Sequence, residues 1–507
     1  MSAQATPPSS LQPVDEDAEQ LARLGYTYDK QFKREMSFWG NVSLGFTYLS
    51  PVVGVYTLFA TSLGLAGPPM LWSFLIVGVG QLLVALVFGE IVSNYPVSGG
   101  IYPWARRLWG RKWGWMTGWA YLTALLVTIA SVAYGAGAFL GALIGLEMSP
   151  DSIILCALGL IAVAAAVNFA GTKVLSAVAM LGLIAELGGA LVVGVLLLLT
   201  ARQHDLSVLF QHFGTGDGGN YFAAFAAAGL IGIFQYYGFE ACGDVAEEVP
   251  NPGRTIPRAM RLTIYIGGFA AMFVCLSLIL AVPDFAAVIS GQDPDPVASV
   301  LTGAFGVAGY KLVLAVVMIS FVSCVMSLQA AASRLSYSLA RDKMLPGSTW
   351  LARFDEKRHV PPVSLAVAAI VPAAVVLVSR LQENALIYIV SFAAMGIYIG
   401  FQMVVLAALR ARLKGWQPAG RYRLGVWGLP VTVGALVWGI LGITNMAWPR
   451  TPESPWYENY MVLLSSIVVL GIGLLYMVWK KPYIHSDAPA ADAILSQSSA
   501  LRADSVR

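Results

Sequence analysis

The chain alternates long apolar runs with short polar links. The runs fall at about 37–62, 70–94, 114–144, 152–170, 175–200, 222–246, 262–283, 312–340, 362–380, 385–409, 426–447 and 460–479. Each approaches or exceeds the roughly 20 residues a helix needs to cross the hydrocarbon core of a bilayer. In lipid every backbone polar group must find its partner inside the protein, which leaves helices as the solution for runs of this length. The pattern predicts twelve membrane-spanning helices. Residues 1–35 are polar, with Pro7-Pro8-Ser9-Ser10 and the acidic stretch Asp15–Glu19, and hold no apolar run for a signal peptide. They read as a disordered tail and a short amphipathic lead-in, with Lys30, Lys33 and Arg34 near the membrane. Residues 486–507 are small and polar and read as a second disordered tail.

The positive charges orient the spans. With the N-terminus placed inside, 27 of the 31 Lys and Arg residues lie on the inner side, and only Arg202, Lys311, Arg380 and Arg450 lie outside. This positive-inside bias supports an even number of spans with both termini cytoplasmic, in the plasma (inner) membrane.

Composition agrees. The chain is 57% hydrophobic and 12% charged, about half the charged share of a soluble domain. Its four cysteines (Cys156, Cys242, Cys275, Cys324) all lie in apolar runs and read as packing residues. All four histidines (His204, His212, His359, His485) lie outside the runs, in no metal-ligand spacing. With no intramembrane histidine and no Ser/His or His/Asp arrangement, an enzyme is not expected, and neither a metal, a cofactor nor a nucleic-acid partner is implied.

Two spans are interrupted. The first holds Gly45–Tyr56, GFTYLSPVVGVY, with Ser50-Pro51 at its centre; the sixth holds Gly232–Gly243, GIFQYYGFEACG. They lie five spans apart. Gly/Pro-broken spans at matching places in two halves point to an inverted-repeat transporter. The fold class expected is an all-α polytopic membrane protein with a LeuT-type 5+5 inverted repeat and broken helices 1 and 6. Its divisions are a cytoplasmic N-terminal tail (1–35), a first five-helix repeat (36–200), a second (201–410), two additional helices (411–480) and a cytoplasmic C-terminal tail (481–507).

The motifs around these breaks resemble a known family. The stretch from Gly238, GFEACGDVAEEVPNPGRTIPRA, is similar to the sixth-span signature of permeases of the amino acid–polyamine–organocation superfamily. YPVSGGIYPWARRLWG from Tyr95 resembles the family's loop after span 2, and SRLSYSLARDKMLP from Ser333 resembles its end of span 8. The resemblance covers about 40–480 and is nearest the amino acid/choline and GABA-permease branch.

An amino acid must carry its carboxylate and its ammonium through a medium of low dielectric, so each needs a compensating group. The half-helix starting after Pro51 offers unpaired N–H groups and about half a positive charge. Ser50, Pro51, Val52, Val53 and Gly54 are therefore candidates to hold a substrate carboxylate through main-chain amides. The family commonly has Gly-x-Gly here; Gly54 matches the second glycine, and Val52 departs from the first. Phe234, Gln235, Tyr236, Tyr237 and Gly238 form the other wall, with free carbonyls for a cation and rings to close over it. By resemblance, Phe234 takes the place of an aromatic gate.

Two intramembrane carboxyls are candidates for ion coupling. Glu240 follows the sixth-span break by two residues, where a desolvated carboxyl suits proton binding and release; the alternative is a carboxyl bonded to freed backbone. Glu186 lies mid-span in helix 5. By resemblance its place is often a lysine in proton-coupled permeases, so Glu186 either titrates itself or pairs with a cation. Ser323 and Ser327 on span 8 are candidates to lend it hydroxyls; the alternative is that each bonds its own helix backbone. Asp244, Glu247 and Glu248 are expected to pair with Arg254, Arg258 or other inner arginines, and Glu90 to brace the inner end of span 2.

The function expected is secondary active transport of an amino acid or related amine, neutral or GABA-like, by alternating access. The coupling ion is H+ or Na+, with proton coupling or exchange favoured. The alternatives are sodium-coupled transport on the same fold and an amino acid sensor built on it. The expected partners are the lipid bilayer and a small-molecule substrate.

Overall fold

The computed structural model describes residue 32 and residues 34–147, 149–216, 221–381, 385–450, 453–491 and 493. Lys30, Lys33 and most of both predicted tails lie outside the described residues. Eleven helices among those described are long and apolar enough to cross a membrane, and a shorter apolar segment, Tyr221–Gln235, accompanies them. In chain order the helices are α1 (Phe38–Leu49), α2 (Pro51–Ala66), α3 (Trp72–Asn94), α4 (Ile101–Trp109), α5 (Arg111–Ile144), α6 (Pro150–Phe169), α7 (Thr172–Thr200), α8 (Tyr221–Ala228), α9 (Leu230–Gln235), α10 (Ala241–Asp244), α11 (Pro252–Ala281), α12 (Pro296–Arg341), α13 (Pro362–Val378), α14 (Ala385–Leu413), α15 (Gly428–Ala447) and α16 (Met461–Lys480). Helices α1 and α2 together make the first span, and α8 to α10 make the sixth.

Local chemistry sets the helix starts. Ser37 caps α1 by accepting from the Gly40 amide at 3.0 Å. Ser149 caps α6 ahead of Pro150, and Asp295 caps α12 ahead of Pro296. In each case the side-chain oxygen takes an amide that the helix leaves unpaired, and proline stands where no N–H is needed. Helix α12 is longer than the predicted run of 312–340. It begins at Pro296 and passes through a break at Gly306, where φ is 67°.

Spans 11 and 12 stand at the edge of the bundle. The most apolar stretch of α15 is 28% buried and that of α16 is 11%, against 72% for the first span, α12 and α14. The core lies where the first span, α12 and α14 meet α3, α5 and α11.

The Lys/Arg-rich end of the bundle is closed by charge pairs. Arg334 on α12 donates to Glu248 at 3.1 Å, both about 1% exposed, and Arg341 pairs with Glu247 at 3.4 Å. The two glutamates thus find their arginines on α12; Arg258 instead lies over the Phe38 ring at 5.0 Å. Asp244, expected to join them, is buried with neither carboxylate oxygen hydrogen-bonded. Between α3 and α5 the link forms the buried helix α4. Arg106 of α4 pairs with Asp342, which also accepts from the Tyr102 hydroxyl at 2.9 Å. Glu90 accepts from Arg412 and from the Leu424 amide, the bracing role expected of it.

The segment after α16 also differs from the reading as a tail. The Ala491 amide donates to the Arg106 carbonyl at 3.0 Å, Arg111 donates to the Ala488 carbonyl, and Lys343 pairs with Asp487. A polar stretch with few apolar residues gives no periodic signal, so its docking depends on the surface it meets.

Removing one member of a buried ion pair strands the other charge, at a cost of about 3–5 kcal/mol. Arg334→Ala should therefore lower the thermal midpoint of the detergent-purified protein far more than Arg258→Ala does. Equal midpoints for the two variants would contradict a structural role for the Arg334–Glu248 pair.

Candidate functional site

The first span breaks at a proline. Pro51 has no N–H and disfavours the helical conformation for the residue before it; Pro257 and Pro372 lie inside continuous helices, so the surroundings of Ser50 decide the break. Ser50 takes φ 42° and ψ 91°, outside the helical region. A non-glycine residue so placed costs about 1–3 kcal/mol unless its surroundings hold it. The surroundings here are polar and specific. The Ser50 amide donates to the Phe46 carbonyl at 2.7 Å, and its hydroxyl donates to Glu186 Oε1 at 2.6 Å.

The carbonyls at the end of α1 are taken up by side chains from other spans. The Cys324 thiol donates to the Tyr48 carbonyl at 3.3 Å, and Gln235 Nε2 donates to the Leu49 carbonyl at 3.2 Å. The amides at the start of α2 are satisfied as well. Val52 donates to Glu186 Oε1 at 2.9 Å, Val53 to Ser50 Oγ at 3.4 Å and Gly54 to the Ser50 carbonyl at 3.2 Å. Glu186, fully buried on α7, therefore caps the α2 N-terminus, and its other oxygen, Oε2, has no partner. A carboxylate at a helix N-terminus is stabilised by the aligned peptide dipoles.

The sixth span breaks at Gly238, where φ is 112°. A Cβ there would lie 2.7 Å from the Leu49 nitrogen, so the second break seats directly on the first. The Gly238 amide donates to Glu240 Oε2 at 2.8 Å, and Oε1 accepts from the Tyr121 hydroxyl at 2.8 Å. Glu240 thus has a partner on each oxygen, one of them freed backbone. The breaks are also tied by Asn41, whose amide group donates to the Cys242 carbonyl at 3.0 Å.

The structure sorts the predicted residues. Ser50, Val52, Gly54, Gln235, Tyr237 and Gly238 converge where the two breaks meet. Gln235 lies over Gly54 with its Oε1 unpartnered, and the Tyr237 hydroxyl is likewise buried without a partner. Phe234 meets Tyr237 edge-to-face at 5.5 Å. Tyr236 points elsewhere: its hydroxyl wedges between Gly78 and Gly268, against α3 and α11. It packs helices and does not reach over the breaks. Ser327 bonds Thr47 at 2.8 Å and not Glu186. Ser323 lies against Gly182, one turn from Glu186.

Sequence reasoning missed Tyr121, Tyr48 and Thr47. Tyr121 is a single polar group in an apolar run, without a motif; Thr47 and Tyr48 lie within the Gly45–Tyr56 segment, ahead of its Ser50-Pro51 centre. Among the described residues, no group of three or more His, Cys, Asp or Glu side chains is placed to hold a metal.

Comparison with known proteins decides the family. The model for the amino acid permease family matches residues 37–484. The chain belongs to this family. It is 26% identical over 473 residues to the amino-acid permease BAT1 of Arabidopsis thaliana, covering 87% of this chain and 91% of the relative. A BAT1 homolog of Oryza sativa is 25% identical, covering 90% and 93%. Among solved structures the chain resembles the manganese transporter of Eremococcus coleocola, with TM-score 0.60 at 13% identity, covering 88% of this chain and 93% of that one. That likeness shows the fold, which is the LeuT-type arrangement of broken helices. The protein is an integral membrane permease.

The two site glycines should differ in tolerance. An added Cβ at Gly238 meets main-chain nitrogen and must tolerate the positive φ already present there, whereas one at Gly54 meets the movable end of Gln235. Gly238→Ala should lose more thermal stability than Gly54→Ala, by about 1 kcal/mol or more. The reverse order would contradict the contact between the breaks.

Proposed function

We propose that this permease moves an amino acid or a related amine by proton-linked alternating access, with the substrate bound beside the two helix breaks. The observation that carries the reading is the Glu186 carboxyl on Ser50 and Val52. An ionisable group on α7 holds the break of the first span in its non-helical form through two hydrogen bonds. A proton on Glu186 removes the charge that these donors and the α2 dipole favour, so proton binding and the shape of the break are linked.

Ser50, Val52, Val53 and Gly54 form one wall of the substrate region, and Phe234, Gln235 and Tyr237 the other. Glu240, partnered on both oxygens, holds the second break in shape, and a proton on its Oε1 would have the Tyr121 hydroxyl as acceptor. Ser323, against Gly182 one turn from Glu186, is the hydroxyl to join its partners when the break moves. The ion pairs Arg334–Glu248 and Arg341–Glu247 close one end and must part for the path to open there.

Uptake of a panel of radiolabelled amino acids and amines by reconstituted vesicles tests the reading. The parent protein should move at least one of them at a rate that changes with pH. Glu186→Gln should keep a folded protein but lose the pH dependence, with the peak rate down about tenfold or more. Uptake by Glu186→Gln that follows the parent at every pH would remove the proton linkage, and absence of uptake of any compound would remove the transport reading.

A further inference from the structure

Three arginines at the Lys/Arg-rich end each hold a carboxylate: Arg106 pairs with Asp342, Arg334 with Glu248 and Arg341 with Glu247. Arg107 of α4 lies over the Tyr95 ring at 5.5 Å. Asp244, at the end of α10, is the carboxyl left over. It is fully buried, and neither of its oxygens accepts a hydrogen bond. Its main chain is held on both sides. The amide donates to the Glu240 carbonyl at 3.2 Å, and the carbonyl accepts from the Gly99 amide at 3.1 Å. Its Oδ1 fills the place where a Cβ on Gly100 would stand, and Gly99 lies against the Ser338 side chain of α12. The loop after α3 thus passes between the sixth span and α12 on two glycines, with φ 95° and 52°, and seals Asp244 in. Ser98 pins that loop: its amide donates to Glu247 Oε1 at 3.1 Å, and its hydroxyl accepts from the Glu247 amide at 3.1 Å.

The charged groups that act on Asp244 are Glu240, one turn earlier on the same segment, and Arg334 on α12. Glu240 is of like sign. Arg334 is already bonded to Glu248, and the remaining arm of its guanidinium, Nη2, does not reach Asp244. Tyr48 faces it from α1 and Tyr121 from α5, and the Cys242 thiol beside it turns to the Asn41 carbonyl at 3.5 Å. Met260 of α11 and Trp104 of α4 pack against the neighbouring Gly243. The Tyr48 and Ser338 hydroxyls are buried without partners, so neutral groups able to give or take a hydrogen bond flank the site. We propose that Asp244 is a proton-binding residue, which holds a proton while the Lys/Arg-rich end is closed and gives it up to the solution on that side when the end opens. In the closed form an ionised Asp244 would be a buried charge with no hydrogen bond, next to another carboxyl. In the open form the loop no longer seals it, and water and the free arm of Arg334 can meet the charge. The O–H bond then breaks, its electron pair stays on the carboxylate, and the proton passes to water. Closure favours the protonated carboxyl, so the proton equally favours closure. This rests on the alternating-access reading above, and it adds a pH control at one end that is separate from Glu186.

Amide hydrogen exchange of the purified full-length protein tests this without any substrate. Protection of residues 95–101 and 244–249, corrected for the intrinsic chemical rate, is followed from about pH 5 to about pH 9. In the parent it should fall as pH rises, by up to about tenfold per pH unit, the limit for one proton. Asp244→Asn, which keeps the shape and fixes the neutral form, should hold the acid level of protection throughout. Infrared spectra supply a second measurement that the parent alone can give. A band from a protonated buried carboxyl should fade with the same pH midpoint as the protection. That component should be missing in Asp244→Asn and present in both Glu186→Gln and Glu240→Gln. Protection in Asp244→Asn that follows the parent at every pH, or a carboxyl spectrum that Asp244→Asn leaves unchanged, would overturn the inference. Vesicles that take up no compound while both signals behave as expected would remove the transport reading and leave this proton site standing.

Discussion

The carboxyl of Glu186 against the Ser50 hydroxyl and the Val52 amide is the contact around which the centre of the protein is arranged. A helix interrupted inside a bilayer leaves donors on one side of the gap and acceptors on the other, and no water is at hand to meet them. Here the donors are met by a carboxylate from α7 and by the Ser50 side chain. The acceptors are met by Cys324 from α12 and Gln235 from the sixth span. The first span stays broken because three other parts of the chain, α7, α12 and the sixth span, complete its hydrogen bonds. Any motion that moves α7 or α12 relative to the first span must break or exchange some of these bonds, which makes the break a natural hinge.

The second break is held by a different economy. Gly238 adopts a backbone angle that favours glycine and donates to the carboxylate two residues on, while Tyr121 fixes that carboxylate from α5. The two glutamates are thus unequal although both are fully buried. Glu240 spends both oxygens on the fold. Glu186 spends one and keeps one, which is why the proton linkage is assigned to it. Asp244 is a further buried carboxyl, lying between Glu240 and the ion pairs that close the Lys/Arg-rich end, and its oxygens have no hydrogen-bond partner.

Much of the fold was legible in the chain because bilayer physics is unforgiving. Twelve apolar runs, the asymmetry of Lys and Arg, and two broken spans five apart follow from thickness, surface charge and the cost of unpaired backbone, all of which are written locally. The twelve runs reappear as eleven long helices and one fragmented span. The site was legible only in outline. Ser50 to Gly54 and Phe234 to Gly238 come together as expected, but Tyr236 turns to pack against Gly78 and Gly268, and Ser327 turns to Thr47. Which way a side chain points within an apolar helix depends on its neighbours, and periodicity carries no record of them. The docked segment after α16 was illegible for the same reason.

The sequence by itself determined where the chain crosses the membrane, where two of its helices must break, and that Glu186 and Glu240 are out of place in oil. Those are consequences of proline, glycine and carboxyl chemistry at single positions. Only the tertiary structure decided that Glu186 reaches the amides of α2 from another helix, leaving those amides occupied and one carboxylate oxygen buried without a partner. A residue 136 positions away supplies that cap, and such a distance is closed by the packing of whole helices, which no local pattern encodes.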